Sequence, residues 1–196
     1  MKLVYLTFLG IFSVVSFGHQ PIKTGNDDQF SKLQPYQIDE PQISKAIFAE
    51  LSGSDHFYRV QSDQSFDFYV GITQAKPDGC ELTHTFSFQI LDENFNEIST
   101  YLGDQFDWWS WYESFGKKWY WVGPETGEDF LSTDVFEAGT YYVRVFNNNN
   151  LGKYVLAVGD DENFTLGVIA RTIAILPGIN REFWNKPSAN CLSNGA

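Results

Sequence analysis

Cysteine, histidine and positive charge are all scarce in this chain. The two cysteines, Cys80 and Cys191, form no CxxC pair, and the three histidines, His19, His56 and His84, form no HExxH motif. Neither a thiol redox centre nor a zinc-hydrolase helix is therefore written in the sequence. No GxSxG elbow, GxxxxGK[ST] loop or GxGxxG fingerprint occurs either, so no catalytic or cofactor motif is present and no cofactor is expected. Lysine and arginine number 13 against 25 acidic residues, a formal net charge of −12, which disfavours a nucleic-acid backbone or an anionic membrane surface as partner.

Long apolar runs are missing too, except at the start. Residues 1 to 18 read Met1, Lys2, then LVYLTFLGIFSVVSFG, with small residues at Ser16 and Gly18 and polar sequence directly after. This is the pattern of a cleaved export signal, and it predicts a secreted product, extracellular or periplasmic. The segment Thr165 to Leu176 is broken by Arg171 and ended by Pro177-Gly178, so no stable membrane span is expected after signal removal. In an oxidising compartment Cys80 and Cys191 are candidates for a bridge, though two separate thiols fit the sequence equally. Closing so long a loop contributes up to about 4.7 kcal/mol in the chain-entropy picture.

Aromatic and β-branched residues are abundant, and their spacing sets the fold class. Residues 19–42 are polar, hold Pro21, Pro35 and Pro41, and read as a flexible arm. From residue 43 the side chains alternate: Phe66, Phe68, Val70 and Ile72; Phe86, Phe88 and Ile90; Tyr141, Val143 and Val145; Tyr154, Leu156 and Val158. Each set shares one face of a half-buried strand. Turn-rich stretches at SGSD, KPDG, DENFN and NNNNLG separate them, so an all-β, antiparallel sandwich or barrel is expected over 43–159. After Gly159 the period lengthens. Leu166, Ile169, Ile173 and Leu176 form a helical stripe, Asp160, Asp161 and Glu162 suit its amino end, and Pro177 is expected to stop it. A helical segment over 160–185, packed across a sheet edge, and a tail over 186–196 complete the expected layout.

Three stretches carry a resemblance. EAGTYYVRV followed by NNNNLGKYVLAVG, the upstream LSGSDHFYRVQSDQSFDFYVGI, and FSFQILDENFNEI together resemble the bacterial prepeptidase carboxyl-terminal domain across roughly residues 43 to 159. The resemblance implies a jelly-roll-like β-sandwich that serves exported proteins as a non-catalytic accessory or interaction module; the chain is also similar to exported prokaryotic proteins of uncharacterised role. It departs from the family in two places. Phe86 and Phe88 stand where closely spaced aspartates are usual, and an aromatic insertion runs from Tyr101 to Phe130.

That insertion concentrates Trp108, Trp109, Trp111, Tyr112, Trp119, Tyr120 and Trp121, the candidate ligand-binding residues. Aromatic faces stack on sugar rings, and Asp104, Asp107, Glu113 and Glu125 would accept hydroxyl hydrogen bonds. The alternation within WSWY and WYW fits strand packing as well. The expected function is an exported, non-catalytic interaction domain with a protein or glycan partner. A carbohydrate-binding module using the insertion, or a small jelly-roll glycoside hydrolase or lyase, are the alternatives. His56 and His84 read as turn and strand-end residues, Asp160–Glu162 as a helix start, and Asn163-Phe164-Thr165 as a chance glycosylation sequon.

Overall fold

A computed structural model describes residues 19–25, 27–82 and 84–185. The expected signal, residues 1 to 18, and the tail with Cys191 lie outside the described residues. Among the described residues thirteen strands precede one α-helix. In chain order they are β1 (Gln20–Lys23), β2 (Tyr36–Ile38), β3 (Lys45–Ser52), β4 (His56–Ser62), β5 (Phe66–Asp67), β6 (Val70–Ala75) and β7 (Ser87–Leu91). Then follow β8 (Glu97–Tyr101), β9 (Trp109–Glu113), β10 (Lys118–Glu125), β11 (Val135–Phe136), β12 (Gly139–Phe146), β13 (Leu151–Val158) and α1 (Leu166–Asn180).

Two sheets form a β-sandwich. One has six strands in the order β1-β3-β13-β6-β10-β9, the other five in the order β2-β4-β12-β7-β8, and β5 pairs with β11 in a small third sheet. The core between the sheets takes Ile47, Leu51, Val70, Ile72, Tyr154, Leu156 and Val158 from the first, and Tyr58, Val60, Phe88, Ile90, Val143 and Val145 from the second. These are the alternating positions of the sequence, because a strand with one face on a core must repeat every second residue. Fully burying each such side chain contributes roughly 1.5–3 kcal/mol.

Several local expectations differ from the structure. The segment read as a flexible arm supplies an edge strand to each sheet: β1 lies parallel to β3, and β2 parallel to β4. Short polar strands with prolines suit sheet edges, where one side of the ladder faces solvent, and they carry little alternation to read. These two pairings also make the sheets antiparallel in part only. The run from Phe66 to Ile72 is not one strand. Phe66 pairs with Phe136 in β11, and the chain re-enters the main sheet only at Val70.

The helix differs most. Its N-cap is Thr165, whose Oγ1 accepts the Val168 N–H at 3.3 Å, and no acidic residue lies in its first turn. Asp160 instead accepts the Ser132 N–H at 2.6 Å. Pro177 does not end α1; the helix runs on to Asn180 and continues as a π-helical turn over Arg181–Asn185. The helix is also rolled relative to the predicted stripe. Leu166 and Ile173 are 87% and 66% exposed, while Thr172, Ile179 and Phe183 are buried. Packing chose this face because Ile179 and Phe183 meet Phe48 and Val155 on the outer face of the six-stranded sheet, a second apolar cluster flanked by Tyr120 and Trp184. The helix thus packs along the edge strand β1, as expected, and its carboxyl-terminal end with the π-helical turn reaches over the outer face of the sheet. No helix among the described residues is long and apolar enough to cross a membrane.

Candidate functional site

The hairpin β9–β10 is the aromatic insertion, and it extends the six-stranded sheet to its far edge. Cross-strand register assigns its rings to faces. Trp111 lies opposite Tyr120, which in turn lies opposite Ala75; Tyr112 lies opposite Trp119, and Trp121 opposite Gln74. Strand alternation therefore splits the aromatic cluster into two groups that point to opposite sides of one sheet.

On the outer face Trp111 meets Tyr120, with ring centroids at 5.9 Å, and Phe130 at 4.9 Å, both tilted by 41°. Trp109 shares that side and meets Phe130 at 6.1 Å. On the other face the Tyr112 and Trp119 rings are 5.1 Å apart and tilted by 53°. There the Lys76 ammonium sits 3.9 Å from the Trp121 ring centroid and 5.9 Å from that of Trp119, a cation–π pairing. Trp108 belongs to neither group. It packs against the sandwich core and its Nε1–H donates to the Gly103 carbonyl at 2.8 Å, while its ring covers Gly123 so closely that a β-carbon there would sit 2.4 Å from it.

The outer face carries a groove of about 410 Å³. Its floor is the sheet itself, made of Ala46, Thr73, Val155 and Ala157, small side chains that leave the space open. One wall is α1 with Leu176 and Ile179, and the facing wall is Trp111, Tyr120 and Phe130. Trp184 closes one end. Its Nε1–H donates to the Trp119 carbonyl at 3.2 Å, and its ring meets Tyr120 edge-on at 5.1 Å. Of the seven aromatic residues singled out by sequence, only Trp111 and Tyr120 line the groove. Trp184 and Phe130 were not singled out. Trp184, the sixth tryptophan, sits far along the chain, and only folding of the helix brings it to the hairpin.

The electrostatics are one-sided. Glu113, Asp129, Asp160 and Glu162 border the groove against a single lysine, Lys118. Glu113 is committed to the hairpin turn, accepting the N–H groups of Phe115 at 2.6 Å and Gly116 at 2.5 Å. At the opposite end the His19 ring is held by the Ser44 hydroxyl, Nδ1 to Oγ 2.7 Å, and burial brings its pKa down to about 4 despite the nearby Asp160 charge. It is neutral at physiological pH and adds no positive charge. Burial, reinforced by Glu113, pushes the Tyr120 phenol well above its ordinary range. No group of three or more His, Cys, Asp or Glu side chains is placed to hold a metal among the described residues.

Cys80 follows the turn after β6; it is buried and is not a free thiol. His56 is not a turn residue in contact with solvent. It is buried, with Nδ1 at 2.8 Å from the Tyr154 hydroxyl, which lies 2.6 Å from that of Tyr58.

No family model matches the chain, and no curated protein matches it. Among solved structures it is similar to the pre-peptidase C-terminal domain of collagenase from Bacillus anthracis, at 12% identity and a TM-score of 0.36, across 64% of this chain and 92% of that one. A likeness of that size carries no argument, and the β-sandwich stands on the chain's own strand pairing.

Proposed function

We propose that the protein is an exported, non-catalytic recognition module that receives an apolar ligand group in the groove between α1 and the aromatic hairpin. The observation that carries this reading is the groove itself, about 410 Å³ with a small-residue floor and aromatic and aliphatic walls. Concave, largely apolar sites with a few polar groups at the margin are the usual form of ligand sites. Two of the four carboxylates at the margin do structural work, Glu113 holding the turn and Asp160 the Ser132 N–H, which leaves Asp129 and Glu162. A glycosidase would need two carboxylates facing each other across the cleft, a role left to Asp129 and Glu162 alone, and the mainly apolar lining between the walls favours binding over hydrolysis.

Sugar stacking receives less support. It asks for an exposed, flat aromatic platform, whereas the Tyr112 and Trp119 rings are tilted by 53° and the Trp111 and Tyr120 rings by 41°. The neutral fluorophore N-phenyl-1-naphthylamine tests the groove directly. It is expected to bind the native protein with enhanced emission and to lose most of its affinity in Trp111→Ala, while Trp119→Ala, on the other face, binds as the native protein does. Equal binding by Trp111→Ala and native protein would remove the groove from the account.

We also propose the bridge from Cys80 to Cys191. Two observations support it. Cys80 is not a free thiol, and the Trp119 carbonyl accepts both the Lys76 N–H at 2.9 Å and the Trp184 indole at 3.2 Å, which brings the chain near its end to the neighbourhood of the Cys80 loop. Denatured, unreduced protein is expected to show no reactive thiol and reduced protein two; two thiols without reductant would end the proposal.

A further inference from the structure

The two main sheets end in four edge strands, β1, β9, β2 and β8. An exposed edge offers unpaired N–H and C=O groups as a template for another strand, and proteins blunt such edges with brevity, proline, lysine, charge or bulges. Three of these edges are blunted. β1 is four residues long and contains Pro21 and Lys23, β2 is three residues long, and β8 starts with Glu97 beside a register shift at Ile90/Leu91.

β9 has none of these devices except a terminal Glu113 turned into its own hairpin. It pairs with β10 without a shift from Trp109–Val122 to Glu113–Lys118, holds no proline or lysine, and has β10 as its one ladder partner among the described residues. Trp109 and Tyr112 are 44% and 43% exposed. The strand borders the groove through Trp111 and Glu113. The insertion is acidic: between Asp104 and Asp129 stand six carboxylates, Asp104, Asp107, Glu113, Glu125, Glu128 and Asp129, against Lys117 and Lys118 within it and Lys76 beside it.

We infer that β9 is a docking edge for an extended peptide segment of a partner protein, rich in apolar and basic residues, which adds as a further strand to the six-stranded sheet. Main-chain hydrogen bonds to β9 supply the pairing, alternate side chains of the added strand reach the groove face beside Trp111, and its basic residues meet the acidic surroundings. A second copy of this chain is a poorer occupant, because each copy carries a formal charge of −12. The inference rests on the groove being a recognition site.

The test uses three short synthetic peptides: one alternating valine and lysine, a copy N-methylated at every backbone amide, and one alternating valine and glutamate. Binding is read by calorimetry at low salt, with N-phenyl-1-naphthylamine measured in parallel. The valine–lysine peptide is expected to bind, and each of the other two at least roughly tenfold more weakly, since one lacks the ladder donors and the other the charge. Equal binding by the N-methylated or the glutamate peptide overturns the inference. So does the absence of any peptide binding while the fluorophore binds, a result that leaves the groove reading intact. No fluorophore binding with peptide binding retained would remove the groove reading and with it the part of the inference that seats side chains beside Trp111, leaving only main-chain pairing at β9. Concentration-dependent dimerisation abolished by Ser110→Lys would put a second copy in the peptide's place, and the inference would fall.

Discussion

Gly103→Ala is expected to lower the stability of the protein by about 3 kcal/mol or more, a fall in melting temperature of about 10 °C, without any change at the groove. Gly103 is buried in the 3-10 turn Gly103–Gln105 that links β8 to the aromatic hairpin. A β-carbon there would sit 2.0 Å from the Phe86 carbonyl oxygen and 2.9 Å from the Phe86 nitrogen, and these are backbone atoms of a fully buried residue that has nowhere to move. Relief requires the turn to lift away. That breaks the hydrogen bond from the Gly103 N–H to the Ser87 hydroxyl at 3.0 Å and the one that the Gly103 carbonyl accepts from Trp108 at 2.8 Å. Overpacking and lost buried hydrogen bonds then act together. Gly25→Ala is the control, since a β-carbon at Gly25 meets no atom within 4 Å. Urea unfolding of both variants reads the difference, and a Gly103→Ala midpoint equal to that of Gly25→Ala would show that the turn is not seated as described.

Acid is expected to destabilise the protein through His56. The ring is 6% exposed, stacked on Phe30 at 4.2 Å and 10°, and bonded to Tyr154. Burial brings its pKa from 6.5 down to about 4, with Asp55 opposing the shift. The folded state therefore holds a neutral ring where the unfolded chain takes up a proton. Stability is complete above about pH 6.5 and is lost progressively as the pH falls from there to about 4, by about 3 kcal/mol for this group. Asp55 offsets only part of this loss, and the Tyr58 and Tyr154 phenols, neutral throughout this range, offset none of it. His19, lowered in the same way, adds to the loss in the same direction. Carboxylates titrate in the lower part of the window, so the decisive comparison is between native protein and His56→Phe. The variant is expected to lose less stability than the native protein between pH 7.5 and pH 4; equal losses would contradict the assignment.

The sandwich was legible because its strands follow a period of two against a single core. Phe88 and Ile90, Val143 and Val145, and Leu156 and Val158 all alternate, and all are buried between the sheets. Where a segment meets two environments, that signal fails. β1 and β2 sit at edges and show no alternation, while in β6 the alternation of Val70 and Ile72 marks the core face but does not show the break between β5 and β6. The helix misled for a different reason. Apolar residues surround most of α1, so two stripes compete, and the one chosen is set by Phe48 and Val155 far away in the chain. Pro177 takes a donor from the carbonyl of Ile173 one turn before it, and both residues lie on the exposed side of α1, where solvent can replace the lost bond.

The site was legible as an aromatic insertion but not as a groove. Composition marked Trp108 to Trp121 as one cluster; strand register divides it, sending Trp111 and Tyr120 to one side and Tyr112, Trp119 and Trp121 to the other. The groove needs four segments at once: the sheet floor, α1, the loop at Phe130, and Trp184. Such a site is a product of long-range packing, and no local pattern announces it.

The most direct measurement is therefore a titration of the native protein with N-phenyl-1-naphthylamine followed by the six tryptophan indole N–H resonances. The account predicts that Trp111 and Trp184 shift and that Trp108, which is locked to the Gly103 carbonyl beneath the hairpin, does not. Shifts confined to Trp119 and Trp121, or no indole shift at saturation, would contradict it.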